Sequence, residues 1–128
     1  MKVSIIGTGA YGLSLALMFY KNKCDITMWT KFKDEKNLLE KKRCNDLLLP
    51  KVKIPKDIKF TNDLSKVKES NLIVIALPAG YVDDIVFELS KYYNNKQHIC
   101  IATKGIEQDT CLFIDDILRK YIKTKKIA

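Results

Sequence analysis

The feature that most constrains the fold is a short apolar segment that runs into a glycine-rich turn at the start of the chain. Residues 2–6 read Lys-Val-Ser-Ile-Ile, which is typical of a strand buried on both faces of a parallel sheet. Residues 7–12, Gly-Thr-Gly-Ala-Tyr-Gly, have the spacing G-x-G-x-x-G, and the apolar residues 13–20 predict a helix. This order of strand, turn and helix is the one that binds the pyrophosphate of a dinucleotide.

Each glycine of the turn has a predicted role. Gly7 permits the tight exit from the strand, Gly9 lets the backbone approach the phosphates because it lacks a Cβ, and Gly12 lets the helix pack closely on the strand. The N-terminus of the helix would present unpaired N–H groups and the positive end of its dipole to the pyrophosphate. A tight strand–helix turn without a ligand is the alternative explanation.

Length and composition bound the class of protein. A chain of 128 residues with 47% hydrophobic residues fits one domain with a substantial core. No apolar run approaches the ~20 residues that span a membrane, and the chain starts directly with a strand, so we expect a cytoplasmic protein without a signal peptide. The four cysteines form no CxxC pair and are expected to be reduced, and no metal site is predicted.

The net charge of +8 raises the question of nucleic-acid binding. The basic residues are nearly all lysines, scattered along the chain and not alternating with aromatic residues, so no nucleic-acid partner is expected. A solvated basic surface around a site for an anionic cofactor explains the same balance.

Strand-like and helix-like segments alternate along the rest of the chain. Further strands are predicted at residues 25–29, 58–61, 72–77 and 99–102, with a sixth starting near the end of the chain. Helices are predicted at residues 32–42, 64–68 and 82–92, followed by a last helix capped by Asp109 or Thr110. The first of these is expected to bury Leu38 and Leu39, whereas residues 43–56 are expected to be irregular. The alternation predicts an α/β fold with a doubly wound, mostly parallel sheet of Rossmann type and strand order 3-2-1-4-5.

The residues after the second predicted strand bear on the choice of cofactor. Sheets that bind NAD usually carry Asp or Glu there to hold the ribose hydroxyls, whereas this chain reads Met-Trp-Thr-Lys at residues 28–31. Thr30 is placed to hydrogen-bond a 2′-phosphate, and Lys31 or Lys33 to neutralise it. We therefore predict that NADP is preferred and NAD also accepted; lysines that are merely solvated are the alternative.

Two further segments are expected at the same edge, because ligands of doubly wound sheets bind outside the carboxyl ends of the strands. One comprises residues 77–80 and contains Pro78, and the other comprises residues 102–105. In the second, Lys104 follows a buried strand and precedes a glycine. A lysine there suits a phosphate or carbonyl oxygen, and a surface lysine at a strand end is the alternative.

Several segments together resemble a known family. They are Gly7-Thr-Gly-Ala-Tyr-Gly12, Met28-Trp29, Arg43-Cys-Asn45 with Leu49-Pro50, Ala76-Leu-Pro78 and Ala102-Thr-Lys-Gly-Ile-Glu107. In this order and spacing they resemble the N-terminal cofactor-binding domain of bacterial NAD(P)-dependent glycerol-3-phosphate dehydrogenase, over essentially the whole chain. The last segment is the most specific.

The resemblance implies roles for individual residues. Ala10 and Tyr11 would contact the phosphates and the nicotinamide side of the cofactor, Lys31 would lie at the adenosine end, and Lys104 would be the catalytic lysine that touches cofactor and substrate. In the family, hydride passes between C4 of the nicotinamide and C2 of the substrate, which interconverts dihydroxyacetone phosphate and glycerol 3-phosphate. The expected cofactor-binding residues are Gly7, Gly9, Ala10, Tyr11, Gly12, Thr30, Lys31, Pro78 and Lys104.

The resemblance also implies a second, helical substrate domain with another catalytic lysine, beginning past Ala128. Residues 1–128 would then be the NAD(P)-binding domain of a homodimeric enzyme that acts on a small-molecule phosphate and supplies glycerol phosphate for phospholipid synthesis, and this fragment alone would be inactive. Lys51 stands where the family commonly has glycine, and Ala79 where it often has serine. The alternatives are a stand-alone regulatory nucleotide-binding module and the first domain of another two-domain dehydrogenase, for hydroxy acids or ketopantoate.

Overall fold

The computed structural model describes residues 1–106 and 109–128 and shows a parallel sheet with helices on both faces. The strands are β1 (Lys2–Ile6), β2 (Asp25–Trp29), β3 (Cys44–Asn45), β4 (Leu49–Lys53), β5 (Lys59–Thr61), β6 (Leu72–Ile75) and β7 (His98–Ile101). The α-helices are α1 (Ala10–Lys21), α2 (Lys33–Lys42), α3 (Val82–Ser90) and α4 (Ile114–Tyr121), and short 3₁₀ helices span Leu64–Glu69 and Ala79–Tyr81.

The main sheet has the order β5-β2-β1-β6-β7, and each neighbouring pair is parallel. The predicted Rossmann-type order is therefore confirmed. β1 lies at the centre, where Ile5 is opposite Met28 of β2 and Val74 of β6. All three side chains are buried, as expected for a strand covered on both faces.

The core consists of two apolar clusters, one on each face of the sheet. One cluster contains Leu13 and Ala16 of α1 and Leu39 of α2, together with buried side chains of β1, β2, β5 and β6. The other contains side chains of α3 and α4, among them Val86 and Ile117. Helices on both faces leave only the strand ends open to a ligand.

The segment predicted to be irregular instead contains an antiparallel hairpin, in which Cys44 pairs with Lys53 and Asn45 with Leu49. The prediction of an irregular segment is wrong, because Pro50 does not interrupt β4. A proline is tolerated where a strand edge needs no donor, and this hairpin forms a separate two-stranded sheet.

Two helix predictions also need correction. Leu39 is buried as expected, but Leu38 is 49% exposed because it points away from the sheet. The last helix starts at Ile114, after an N-cap at Phe113, rather than at Asp109 or Thr110. The 3₁₀ helix that starts at Leu64 is capped by Asp63, whose carboxylate accepts from the backbone N–H of Ser65 at 3.0 Å.

The predicted sixth strand is present as a short bridge beside β7. Ile127 pairs in parallel with Ile99, and the N–H of Ile101 donates to the carbonyl oxygen of Ala128 at 2.7 Å. His98, at the start of β7, is exposed.

Candidate functional site

The carboxyl ends of the central strands form a continuous hydrogen-bonded edge. The N–H of Gly7 donates to Trp29 O at 2.9 Å, and the N–H of Ala76 donates to Ile6 O at 2.9 Å. The N–H of Ala102 donates to Ile75 O at 2.8 Å. These bonds hold the segments after β1, β6 and β7 at one edge, as the sequence predicted.

Within the turn between β1 and α1, the glycines meet different surroundings. Gly7 has φ of 120°, and a Cβ there would lie 2.3 Å from the carbonyl oxygen of Ala76. A Cβ on Gly12 would lie 2.6 Å from the carbonyl oxygen of Gly7. Gly9 has nothing within 4 Å of its ideal Cβ position. Gly7 and Gly12 are therefore required by close backbone packing, whereas Gly9 opens onto space that a side chain would fill.

Helix α1 starts at this space. Gly9 is its N-cap, no side chain of the described residues hydrogen-bonds to this cap, and its first turn carries no acidic residue. The first-turn N–H groups of an uncapped helix lack intrahelical partners and favour a negatively charged ligand. The arrangement suits a pyrophosphate.

Two grooves meet at Gly9 and Pro78. We call the first the β2-side groove, since its lining includes residues that follow β2; its predicted members are Gly7, Gly9, Thr30, Lys31 and Pro78. The second is the β7-side groove, whose predicted members are Gly9, Ala10, Tyr11, Gly12, Pro78 and Lys104. Every cofactor-binding residue expected from the sequence thus lines one or both grooves.

A carboxylate that sequence reasoning missed lies in the β2-side groove. The side chain of Thr30 is 4% exposed, and its hydroxyl donates to Glu35 Oε2 at 2.6 Å. Glu35 belongs to the first turn of α2 and also lines the groove. Thr30 therefore lies at the predicted place, but its proton is directed to Glu35 and not into the groove. The signal in the sequence was an acidic residue in the first turn of the helix that follows β2.

The end of β2 is held by a second contact. The indole N–H of Trp29 donates to Asn62 O at 3.0 Å, and the Asn62 amide donates to Thr30 O at 2.8 Å. Trp29 is buried, so these bonds fix the direction in which the following residues leave the strand.

On the other side, Thr103 joins the segments that follow β6 and β7. Its hydroxyl donates to Ile75 O at 3.2 Å and accepts from the N–H of Leu77 at 3.2 Å. The neighbouring Lys104 is exposed and lines the β7-side groove, and Gly105 has φ of 107°. Thr103 was quoted in the motif but given no role, and Glu107 of the same motif lies outside the described residues.

Lys51, which stands where the family commonly has glycine, has an unusual backbone conformation. Lys51 in β4 has φ of 62°, a left-handed conformation that favours glycine. Lys51 lines neither groove. The departure therefore concerns the hairpin and not the residues expected to hold the cofactor.

The described residues contain neither a metal-binding cluster nor a membrane-spanning helix. Among residues 1–106 and 109–128, no group of three or more His, Cys, Asp or Glu side chains is arranged to hold a metal ion. Within that described part, no helix is both long and apolar enough to cross a bilayer.

The residues at the sheet edge fit a dinucleotide. The open space at Gly9 admits phosphates next to the backbone, and the uncapped start of α1 supplies N–H donors to them. One groove is lined by residues that follow β2 and the other by residues that follow β7, so two halves of a dinucleotide joined at Gly9 would each have a groove.

Comparisons with known proteins agree with this geometry. Residues 2–128 match the family model described as NAD-dependent glycerol-3-phosphate dehydrogenase N-terminus. The chain is 32% identical over 126 residues to glycerol-3-phosphate dehydrogenase [NAD(P)+] of Fusobacterium nucleatum, covering 98% of this chain and 38% of the relative. It is 34% identical over 117 residues to the protein of that name from Wigglesworthia glossinidia brevipalpis, covering 91% of this chain and 36% of the relative.

A solved structure shows the same fold. The crystal structure of glycerol-3-phosphate dehydrogenase from Coxiella burnetii superposes with a TM-score of 0.88 at 19% identity, covering 96% of this chain and 38% of that one. The chain thus spans little more than a third of the length of these relatives.

Proposed function

This chain belongs to the family of the N-terminal domain of NAD-dependent glycerol-3-phosphate dehydrogenase, and from that premise we propose that it binds NAD(H) or NADP(H) across the two grooves. The observation that carries the proposal is the meeting of both grooves at Gly9, where the backbone is open and α1 begins without a cap. The pyrophosphate would lie there, with adenosine in the β2-side groove and nicotinamide in the β7-side groove.

We further propose that this domain serves an enzyme that interconverts dihydroxyacetone phosphate and sn-glycerol 3-phosphate. The bound nicotinamide supplies the hydride-carrying ring for such chemistry. Because Lys104 follows β7 and lines the same groove, its ammonium is placed to bind an oxygen or phosphate of a small substrate. Thr103 would act as a positioning residue, since it ties the Lys104 segment to the end of β6.

We also propose that the whole protein has a second, substrate-binding domain on which turnover depends. The same proposal includes assembly as a homodimer, a cytoplasmic location and a supply of glycerol phosphate for phospholipid synthesis. The domain boundary rests on the coverage of little more than a third of each relative.

The test is binding of NADH and NADPH to the 128-residue chain, measured by calorimetry. Gly9→Val should abolish binding of both, because the added side chain would fill the space proposed for the pyrophosphate. Met18→Val is the control, since Met18 is exposed in helix α1 and lines neither groove, so this variant should bind both cofactors like wild type. Absence of binding to the folded wild-type chain, or equal binding by Gly9→Val, would contradict the proposal.

A further inference from the structure

The contact between Thr30 and Glu35 changes what the end of β2 presents to a ligand. In sequence, the place of the ribose-binding carboxylate is taken by Thr30. In space, Glu35 brings a carboxylate to that place from α2, because its Oε2 is 2.6 Å from the Thr30 hydroxyl and its side chain lines the β2-side groove. The helix thus supplies the charge that the strand lacks.

The orientation of the Thr30 hydroxyl follows from its partners. An ionised carboxylate only accepts hydrogen bonds, so the single hydroxyl proton of Thr30 is donated to Glu35. The N–H of Phe32 donates to the same hydroxyl oxygen at 3.3 Å. Thr30 is buried and Glu35 is half-buried, so both bonds are partly shielded from water and hold Glu35 in place.

A carboxylate held here treats the two cofactors differently. The free oxygen of Glu35 can accept hydrogen bonds from the ribose hydroxyls of NAD, whereas the 2′-phosphate of NADP would bring negative charge next to it. Like charges at short range in a partly desolvated groove repel strongly. Thr30 cannot offset this repulsion, since its proton is already donated.

The nearby lysine is a weaker influence. Lys31 lines the same groove but is exposed, so its charge is screened by water and salt. Among the described residues, no ion pair joins Lys31 or any other lysine to Glu35. The carboxylate is therefore not neutralised by a partner within hydrogen-bond reach.

We propose that Glu35, positioned by Thr30, selects NAD(H) over NADP(H) in this chain, the reverse of the preference expected from the sequence. The inference rests on the proposed function, because it assumes that the β2-side groove receives the adenosine ribose. It assigns specificity to a residue of α2 and a positioning role to Thr30.

The experiment compares dissociation constants of NADH and NADPH for the wild-type chain, Glu35→Gln and Glu40→Gln by calorimetry. Wild type should bind NADH at least about tenfold more tightly than NADPH at low salt, and the ratio should shrink as salt rises. Glu35→Gln should close most of this gap, mainly by tightening NADPH. Glu40→Gln removes the same charge from an exposed position of α2 that lines neither groove, and should keep the wild-type ratio.

Two further variants separate position from charge. Thr30→Val should reduce the preference because Glu35 loses its anchor, and Thr30→Ser should retain it because the donor remains. Folding of each variant is checked by circular dichroism. If wild type binds both dinucleotides without preferring NADH, or if Glu35→Gln leaves the ratio unchanged, the inference is wrong although the proposed function stands. If a folded wild-type chain binds neither, the proposed function fails and the inference with it.

Discussion

The hydroxyl of Thr103 donates to the carbonyl oxygen of Ile75 at 3.2 Å, across the ends of two parallel strands. It also accepts from the N–H of Leu77 at 3.2 Å. One side chain therefore satisfies a donor and an acceptor of the segment that leaves β6, and it does so next to Lys104.

Replacing Thr103 by Val should lower the free energy of unfolding by about 1–3 kcal/mol, because the partly buried N–H of Leu77 loses its acceptor and Ile75 O keeps only the bond from the N–H of Ala102. It should also weaken binding of NADH, since the segment that carries Lys104 is no longer tied to β6. Chemical denaturation and calorimetry measure the two effects. Thr103→Ser keeps the hydroxyl and should retain most of the stability and most of the NADH affinity. If Thr103→Ser and Thr103→Val lose equal amounts of each, the methyl group matters and the hydroxyl does not.

Arg43 joins the end of α2 to the loop before β5. Its guanidinium donates to Ile58 O at 2.6 Å and to Glu40 O at 3.1 Å, and lies over the ring of Phe60 at 5.5 Å from the centroid. Arg43→Lys should lower the free energy of unfolding by about 1–3 kcal/mol, because an ammonium cannot reproduce this fork of donors. Urea denaturation measures this change in the free energy of unfolding.

The control for Arg43→Lys is Arg119→Lys. Arg119 is exposed and lies 3.9 Å from Asp115, which is a surface ion pair of small energetic value. Its replacement should leave the unfolding midpoint nearly unchanged. A loss equal to that of Arg43→Lys would mean that the loss at Arg43 does not come from its hydrogen bonds to the loop.

Lys51→Gly should stabilise the chain by about 0.5–1 kcal/mol, because a left-handed conformation costs a side chain about 1–2 kcal/mol and the greater freedom of glycine in the unfolded chain offsets part of the gain. The predicted stabilisation rests on the φ of 62° at Lys51. Thermal denaturation of Lys51→Gly and of Lys53→Gly makes the comparison, since Lys53 belongs to the same strand without a positive φ. Lys53→Gly should destabilise; stabilisation by both variants would contradict the conformational explanation.

Asp63 should contribute to the acid stability of the fold. Hydrogen bonds from the Ser65 hydroxyl and then from its backbone N–H hold the pKa of the Asp63 carboxyl below its ordinary value. The pKa is lower in the folded chain than in the unfolded one, so the contribution is complete above the unfolded pKa of about 3.9 and disappears as pH falls through the folded pKa.

Melting temperatures across this acidic range test the effect. Asp63→Asn should melt below wild type near neutral pH, and the difference should narrow as the pH falls below about 4. Ser65→Ala should reduce the same pH dependence, because it removes the donor with the largest effect on the pKa. If the difference in melting temperature between wild type and Asp63→Asn is constant with pH, the explanation through the pKa of Asp63 is wrong.

Most of the architecture could be predicted because its signals are local. The glycine spacing and the buried runs of β1 and β6 predict a parallel sheet with β1 at its centre, and the strand order follows from handedness and connection rules. The hairpin at Cys44–Asn45 and Leu49–Lys53 could not be predicted in this way, because a two-residue strand and Pro50 carry little strand signal. The start of α4 was misplaced because Asp109 and Thr110 have capping side chains, whereas the observed cap, Phe113, has none.

The strand–turn–helix unit, the strand order and the residues expected at one edge of the sheet follow from the amino-acid pattern alone, because chain connectivity brings the ends of parallel strands together. The pairing of those residues depends on the folded arrangement. Glu35 reaches Thr30 from the next element, and Thr103 reaches across to Ile75 and Leu77. Side-chain hydrogen bonds between elements depend on packing distances and directions that no residue pattern specifies, so the polarity of the β2-side groove became visible only in three dimensions.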